Sequence, residues 1–294
     1  MAYNFIQLNP RLSGLYGIEV TVPGIAARCD LGNLDPQHTG QDSFTASIEA
    51  ALTIELPPDN ALLGTIRRDP DSVGTMAVLE MRRENIDLNP AMERIMKIAA
   101  SDKFAHGGWP GPQSLPTKEN PWPLKSASTE ADPRLAAIAA FVSDWQVPIE
   151  AAVKGMRVWL LSGEVPVGYQ EKVQKEREEL IRAIEAGEIK IENREGIAVV
   201  QSTHRAGTTI GYSLSPIAVL RNPEFGFGAG PKVVKFTVCQ FEAGYVDLKA
   251  VFAELSQLEP GWGGSPTIGG SPQGVSSTLT LDQVVEIVRK HLLK

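Results

Sequence analysis

Asp69 and Asp71 stand one residue apart in RDPDSVGTM, where a strand-like run gives way to a helical one. Oxygen ligands at this spacing suit Mg2+ or Mn2+, which take carboxylates and leave room for phosphate oxygens. The same stretch has a structural use: Asp71 or Ser72 can cap the following helix, a contribution of about 1 kcal/mol. Both readings stay open on these residues alone. A second acidic turn, LDPQHTGQDS, holds Asp35, His38 and Asp42. An Asp and a His three residues apart can reach one cation from a tight turn, and a neutral imidazole favours Mn2+ over Ca2+. Its alternative is a proline turn with Asp42 or Ser43 capping the next helix. A third stretch, ASDKFAHGGW, adds Asp102 and His106 at a helix end, where the dipole repels negative charge unless a cation offsets it. Three such turns can supply a two-metal site that activates water and stabilises a leaving oxygen. Within it Asp71 and His106 are the expected catalytic residues, His106 as general acid, because an imidazole near neutrality both donates and accepts a proton.

Strands and helices must alternate to bring these turns together. Residues 1–28 read as short strands, with GIEVTV and GIAARC the most strand-like pieces. DLGNLDPQHTGQDS then leads into FTASIEAAL, and ALLGTIRRDPDS into VGTMAVLEMRRE, the second with apolar residues at helical spacing. Two successive strand–turn–helix units predict a parallel sheet, whose ligand sites lie outside the carboxyl ends of the strands. NPAMERIMKIAASDKF is a further helix opened by Asn89 and Pro90, and a long Gly/Pro loop follows at 106–123. Residues 133–163 are helical and apolar, and a charged helix stops at Gly187.

After that helix the pattern changes to the strands IKIENREGIAVVQS, GYSLSPIAVLRN and PKVVKFTVCQF, a helix, a glycine-rich turn and a last helix, TLDQVVEIVRKHLL. The expected fold class is α/β: a parallel-sheet N-terminal domain (1–165), a helical linker (166–188) and a smaller mixed α/β C-terminal domain (189–294).

With 43% hydrophobic residues in 294, the chain can bury a proper core. A formal charge of -7 writes no basic face for duplex nucleic acid into the overall balance. Cys29 and Cys239 are far apart and in no C-x-x-C arrangement, which argues against a disulfide framework or a thiolate zinc site. No charged-then-apolar leader opens the sequence, and no apolar run approaches the ~20 residues that span a bilayer. A cytoplasmic protein without membrane association is expected. The sequence carries no G-x-S-x-G, no P-loop signature and no dinucleotide G-x-G-x-x-G after a strand, which ranks those enzyme classes low.

These stretches resemble the DHH/DHHA1 phosphoesterase superfamily. RDPDSVGTMAVL is similar to that family's first motif, an acid-x-acid followed by a small-residue helix start. LDPQH resembles its Asp-His-His motif, and IAASDKF a later motif in which an apolar helix ends in a metal-binding Asp. In the C-terminal half, VKFTVCQFEAGYVDLKAVFAELSQLEPGWGGSPTIGGSPQG follows the order of the family's second domain. Gln37 replaces one imidazole, LDPQH precedes the acid-x-acid stretch instead of following it, Ser265 replaces a His, and Cys239-Gln240 stand where an Arg is expected.

The resemblance implies a metal-dependent phosphoesterase in which Asp35, His38, Asp69, Asp71 and Asp102 hold one or two Mn2+ or Mg2+ ions. A metal-activated water would attack a phosphodiester, nucleotide or phosphoanhydride. Gly263, Gly264 and Ser265 would present backbone amides to an anion. His204 and Arg205 would line an interdomain cleft, the guanidinium gripping a phosphate; a polar hairpin is the other reading of those two. The implied partner is a small phosphorylated molecule or short oligonucleotide, with a homodimer allowed. A non-catalytic relative that binds a nucleotide or small anion is the alternative, and an interaction protein using Trp109 and Trp122 in the long loop is a third. Asn at both 69 and 71 is expected to abolish metal binding while sparing the fold, since neither side chain is expected in the core.

Overall fold

The structure is a computed structural model that describes residues 4–7, 13–37, 45–204, 207–226 and 232–293. The chain forms two compact units: the first takes residues 1–103 and 132–173, the second 104–131 and 174–294. The break at 173 falls inside the charged helix. Segment 104–131 belongs with the second unit, an arrangement that sequential domain boundaries do not capture, and it gives that unit a size similar to the first.

The first unit is built on a parallel sheet of β1 (Asn4–Gln7), β2 (Leu15–Ile18), β3 (Asn33–Leu34) and β4 (Leu62–Thr65), in the order β1-β4-β2-β3. Its helices are α1 (Pro23–Ala26), α2 (Ser47–Ala50), α3 (Pro70–Arg83), α4 (Met92–Asp102), α5 (Pro133–Val142) and α6 (Ile149–Ser162). The GIAARC stretch is therefore short helix, not strand, with Pro23 pre-setting helical φ at its first position. Helix α3 is buried nearly all round, with Val73, Met76, Ala77, Val78, Leu79 and Met81 in one core with Leu63 of β4 and Ile95 and Ile98 of α4. Gly74 permits the close approach of α2, since a Cβ there would lie 2.5 Å from Ile48 Cδ1.

Helix α7 (Tyr169–Glu185) carries the chain from one unit to the other. The second unit holds β5 (Lys190–Arg194), β6 (Ile197–Gln201), α8 (Gly207–Gly211), β7 (Ile217–Phe225), β8 (Val233–Gln240), α9 (Leu248–Leu258), β9 (Gly263–Gly264), β10 (Ile268–Gly270) and α10 (Leu281–Lys290). The sheet runs β5-β6-β7-β8-β10-β9 and is mixed, β6–β7 being its parallel pair. Alternation along the central strands sends Ile197, Val199, Ile217, Val219, Phe236 and Val238 into one core with α9 and α10. Ala198, Ala218 and Cys239 go to the other face, against Tyr212, Phe241 and Leu124. The expected α/β class, with a parallel sheet followed by a mixed one, is what the chain adopts. No helix among the described residues is long and apolar enough to cross a membrane.

Candidate metal centre

Three carboxylates of the first unit converge: Glu19, Asp71 and Asp102 each offer an oxygen within 4.8 Å of the others. Glu19 immediately follows β2, Asp71 lies in the first turn of α3 after β4, and Asp102 is the last residue of α4. Glu19 and Asp71 thus follow the carboxyl ends of neighbouring parallel strands, where open α/β sheets place their ligands.

Glu19 is held there against its own backbone preference. Its φ is +52°, a region that costs a non-glycine residue of order 1 kcal/mol or more. The conformation is over-determined on both sides. Glu19 N donates to Leu34 O at 3.0 Å, and Val20 is gripped by the Asn33 side chain through its N–H and its carbonyl, each at 3.2 Å. Gly17 makes the room: a Cβ there would meet Asn33 Oδ1 at 2.5 Å.

Asp71 is 1% exposed, and its two oxygens accept the N–H groups of Ser47 and Ile48, both at 2.9 Å, at the start of α2. Each carboxylate oxygen has two lone pairs, so these bonds leave both atoms able to ligate. Gln37, in the turn after β3, donates to Asp102 Oδ2 at 2.9 Å, and the neighbouring Lys103 pairs with Glu49 at 2.6 Å.

Crowding of charge dominates the electrostatics. Burial, followed by the charges of Asp71, Asp69 and Asp102, holds the Glu19 carboxyl well above the usual carboxylate range. Burial and then Asp102 push Asp71 up to about 7, against the bonds from Glu19 and Ile48. Neither Glu19 nor Asp71 has an ion-pair partner among the described residues. An all-carboxylate donor set whose members resist ionising together fits a hard divalent cation, which replaces the proton as counter-charge.

No family model matches the sequence, and no curated protein matches it. Solved structures to which the chain is similar include the pGpG-specific phosphodiesterase PggH from Vibrio cholerae, at 10% identity, covering 79% of each chain with a TM-score of 0.42.

Of the five residues expected to ligate, the structure brings Asp71 and Asp102 together and leaves two others outside the group. Asp69 caps α3: its Oδ1 accepts Ser72 N at 2.9 Å, Ser72 Oγ accepts Asp69 N at 3.1 Å, and Oδ2 pairs with Arg67 at 2.9 Å. The capping use of the DPDS stretch is therefore real, but it falls to Asp69, while Asp71 turns inward. Asp35 is buried just after β3 and is not one of the three converging carboxylates. His38, like Asp42 and Ser43, lies outside the described residues.

His106 is placed in the second unit, against the rings of Phe104, Tyr212 and Phe241 at centroid distances of 5.6, 5.7 and 4.9 Å. Burial lowers its pKa to about 4. An imidazole held neutral by burial in an aromatic cluster is poorly suited to the expected general-acid role. Gly263, Gly264 and Ser265 line a cavity of about 590 Å3 together with Lys249, Phe252 and Trp262. Ser265 N is already bonded to Ile268 O at 2.8 Å, so it is not free to face an anion. His204 lies in the turn after β6 with its N–H on Ser202 Oγ at 2.8 Å, and Arg205 falls outside the described residues.

The residue that sequence reasoning missed is Glu19. GIEV reads as strand, and the signal was an acid at the end of an apolar strand, which is informative only once the parallel order of β2 and β4 is known. Gln240, standing where an Arg was expected, is structural: its side chain bonds Val246 O, Pro266 O, Tyr245 N and Val246 N at 2.7–3.0 Å. Both cysteines are free and buried, and burial pushes Cys239 up to about 12, so it is no nucleophile at neutral pH.

Proposed function

We propose that this chain is a metal-dependent phosphoesterase acting on a small phosphorylated molecule or short oligonucleotide. The observation that supports it is the convergence of Glu19, Asp71 and Asp102 beyond the carboxyl ends of parallel strands. The resemblance of RDPDSVGTMAVL to a phosphoesterase metal motif, with Asp71 as its second acid, agrees with that placement. A bound Mn2+ or Mg2+ supplies an acidified water and a counter-charge for the leaving oxygen.

The protein's own part is positional. Asp71 is locked in orientation by two backbone amides, Glu19 by the β2–β3 backbone, and Asp102 by the Gln37 amide. Three carboxylates fixed in this way present oxygens without having to reorganise when a substrate phosphate arrives.

A second reading, an anion-binding relative without turnover, is favoured by one observation. Asp69 is committed to its helix cap and to Arg67, so the converging group has three carboxylates where a two-metal centre commonly uses more.

Calorimetric titration of metal-stripped protein with Mn2+, followed by assay of the loaded protein on phosphodiesters, nucleotides, 5′-phosphorylated dinucleotides and pyrophosphate, separates the two. Saturable binding weakened at least about tenfold by Glu19→Gln, with hydrolysis of one member, supports the phosphoesterase. Binding without hydrolysis supports the second reading, and no binding overturns the metal centre.

A further inference from the structure

Arg68 is 6% exposed and sits immediately before the cap of α3. Its backbone carbonyl accepts Ser143 Oγ at 3.0 Å, and its Nη1 donates to Val147 O at 2.8 Å, so it ties down the short loop 143–148 between α5 and α6. The remaining guanidinium nitrogens, Nε and Nη2, are buried and have no hydrogen-bond partner among the described residues. These two are the pair whose N–H groups point the same way, the side-on edge that grips a carboxylate or phosphate with two parallel bonds.

The guanidinium carbon lies 5.7 Å from the centroid of the Trp145 ring, on that same loop. Trp145 is 58% exposed, unusual for so large an apolar side chain. Asp144 and Tyr169 also face Arg68, but the Asp144 carboxylate is drawn elsewhere, accepting Gln146 N and Tyr169 OH at 2.9 Å each and lying 3.9 Å from Lys172 Nζ. Every one of these residues belongs to the first unit.

We propose that Arg68 and Trp145 form an oxyanion subsite, in which the indole swings off the guanidinium and a phosphate group takes the Nε–Nη2 edge. An exposed ring on a six-residue loop can move at little cost, whereas buried donors without acceptors gain a great deal from an anion. The chain itself sets the location. Asp71 is three residues on, so the Cα atoms of the two residues are no more than about 11 Å apart. Resting on the proposed phosphoesterase reading, the occupant is a second phosphate of the same substrate, as in a phosphoanhydride or a 5′-phosphorylated dinucleotide.

The test uses metal-stripped full-length protein, so that its result is independent of whether the carboxylates bind an ion. Orthophosphate, pyrophosphate and acetate are titrated separately while the arginine Nε–H resonances of 15N-labelled protein are followed. The expected result is saturable phosphate binding that shifts one buried Nε–H, with Arg68→Lys at least about tenfold weaker because an ammonium has no fork. Trp145→Ala, which removes only an exposed ring, should bind phosphate faster or more tightly, and it serves alone if the Arg68 variant does not fold. No saturable binding, equal binding by Arg68→Lys, or unchanged or weaker binding by Trp145→Ala overturns the subsite. Acetate binding as tight as phosphate overturns the phosphate assignment.

Discussion

Glu19 and Asp71 meet carboxyl to carboxyl, one following β2 and the other in the first turn of α3, and share a hydrogen bond. Two buried carboxyl groups in contact keep a proton between them, because ionising both would put two charges side by side in a poorly solvated place. A divalent ion reverses that preference. Proton and cation therefore compete for the same oxygens, and the competition can be read in stability.

Metal-free protein should lose stability as pH rises. A carboxyl whose folded pKa is raised contributes stability that is fully present below its unfolded value, near 4, and is lost as pH rises through the folded value, about 7 for Asp71. Thermal melting of stripped protein is expected to show a lower Tm at pH 8 than at pH 5, by at least the ~3 °C that 1 kcal/mol produces in domains of this size. Saturating Mn2+ should raise Tm strongly at pH 8 and little at pH 5. Glu19→Gln, which replaces the shared proton with a neutral amide, should flatten the pH dependence and remove the Mn2+ effect. A wild-type Tm independent of pH would mean that the pair is not buried together.

Asp69 and Asp71 should separate cleanly under substitution. Asn is as good a helix cap as Asp, so Asp69→Asn is expected to change stability by less than about 0.5 kcal/mol and leave Mn2+ affinity within a few-fold. Asp71→Asn is different, because an amide offers one acceptor where Ser47 N and Ile48 N need two, leaving a buried donor unmatched at a cost of about 1–3 kcal/mol. It should lower both Tm and Mn2+ affinity. The expectation that both side chains could be changed without touching the fold is corrected by the burial of Asp71. Equal behaviour of the two variants by melting and calorimetry would contradict the assignment of cap and ligand.

Residues whose role follows from local spacing were legible in the sequence. RDPDS announced a cap and an acid turned towards the strand ends: Asp69 is the cap and Asp71 joins the converging carboxylates, while VGTMAVLEM carried its helical period into α3. Asp102 at the end of α4 was legible for the same reason, an acid where the helix dipole disfavours one. Glu19 was not, because its meaning depends on a strand pairing between β2 and β4 that no local pattern encodes. The general-acid reading of His106 rested on proximity in sequence: two residues beyond Asp102 the chain passes into the second unit, and the imidazole packs among aromatic rings there. Segment 104–131 reads as an ordinary Gly/Pro loop, and its attachment through Trp109 Nε1 to Tyr212 O and Arg177 to Glu130 is long-range.

His106 gives a pH effect of opposite sign. Its folded pKa of about 4 lies below the unfolded 6.5, so the neutral ring contributes stability present above pH 6.5 and lost as pH falls through 4. The loss approaches about 3 kcal/mol at most. His106→Leu, of similar volume and unable to ionise, should match wild type within about 1 kcal/mol at pH 7 and exceed it at pH 4.5 by urea denaturation. It should leave any phosphoesterase turnover unchanged. A large loss of turnover with stability intact would restore a catalytic role to this residue.

Gln37 offers a gain-of-function test of the centre. Its amide nitrogen lies 2.9 Å from Asp102 Oδ2, so the side chain already reaches the rim of the carboxylate group from the turn after β3. An imidazole there, in Gln37→His, exchanges a hydrogen-bond donor to Asp102 for a nitrogen ligand. Nitrogen donors discriminate against Mg2+, which binds oxygen and keeps its waters, and towards Mn2+ and later transition ions. The variant is expected to raise the ratio of Mn2+ to Mg2+ affinity by about tenfold relative to wild type, measured by parallel calorimetric titrations at pH 7.5. At pH 5.5 the gain should vanish, because an imidazole with an ordinary pKa near 6.5 is then protonated and cannot ligate. An unchanged ratio at pH 7.5 would place the ion away from Asp102, and with it the centre away from the end of α4.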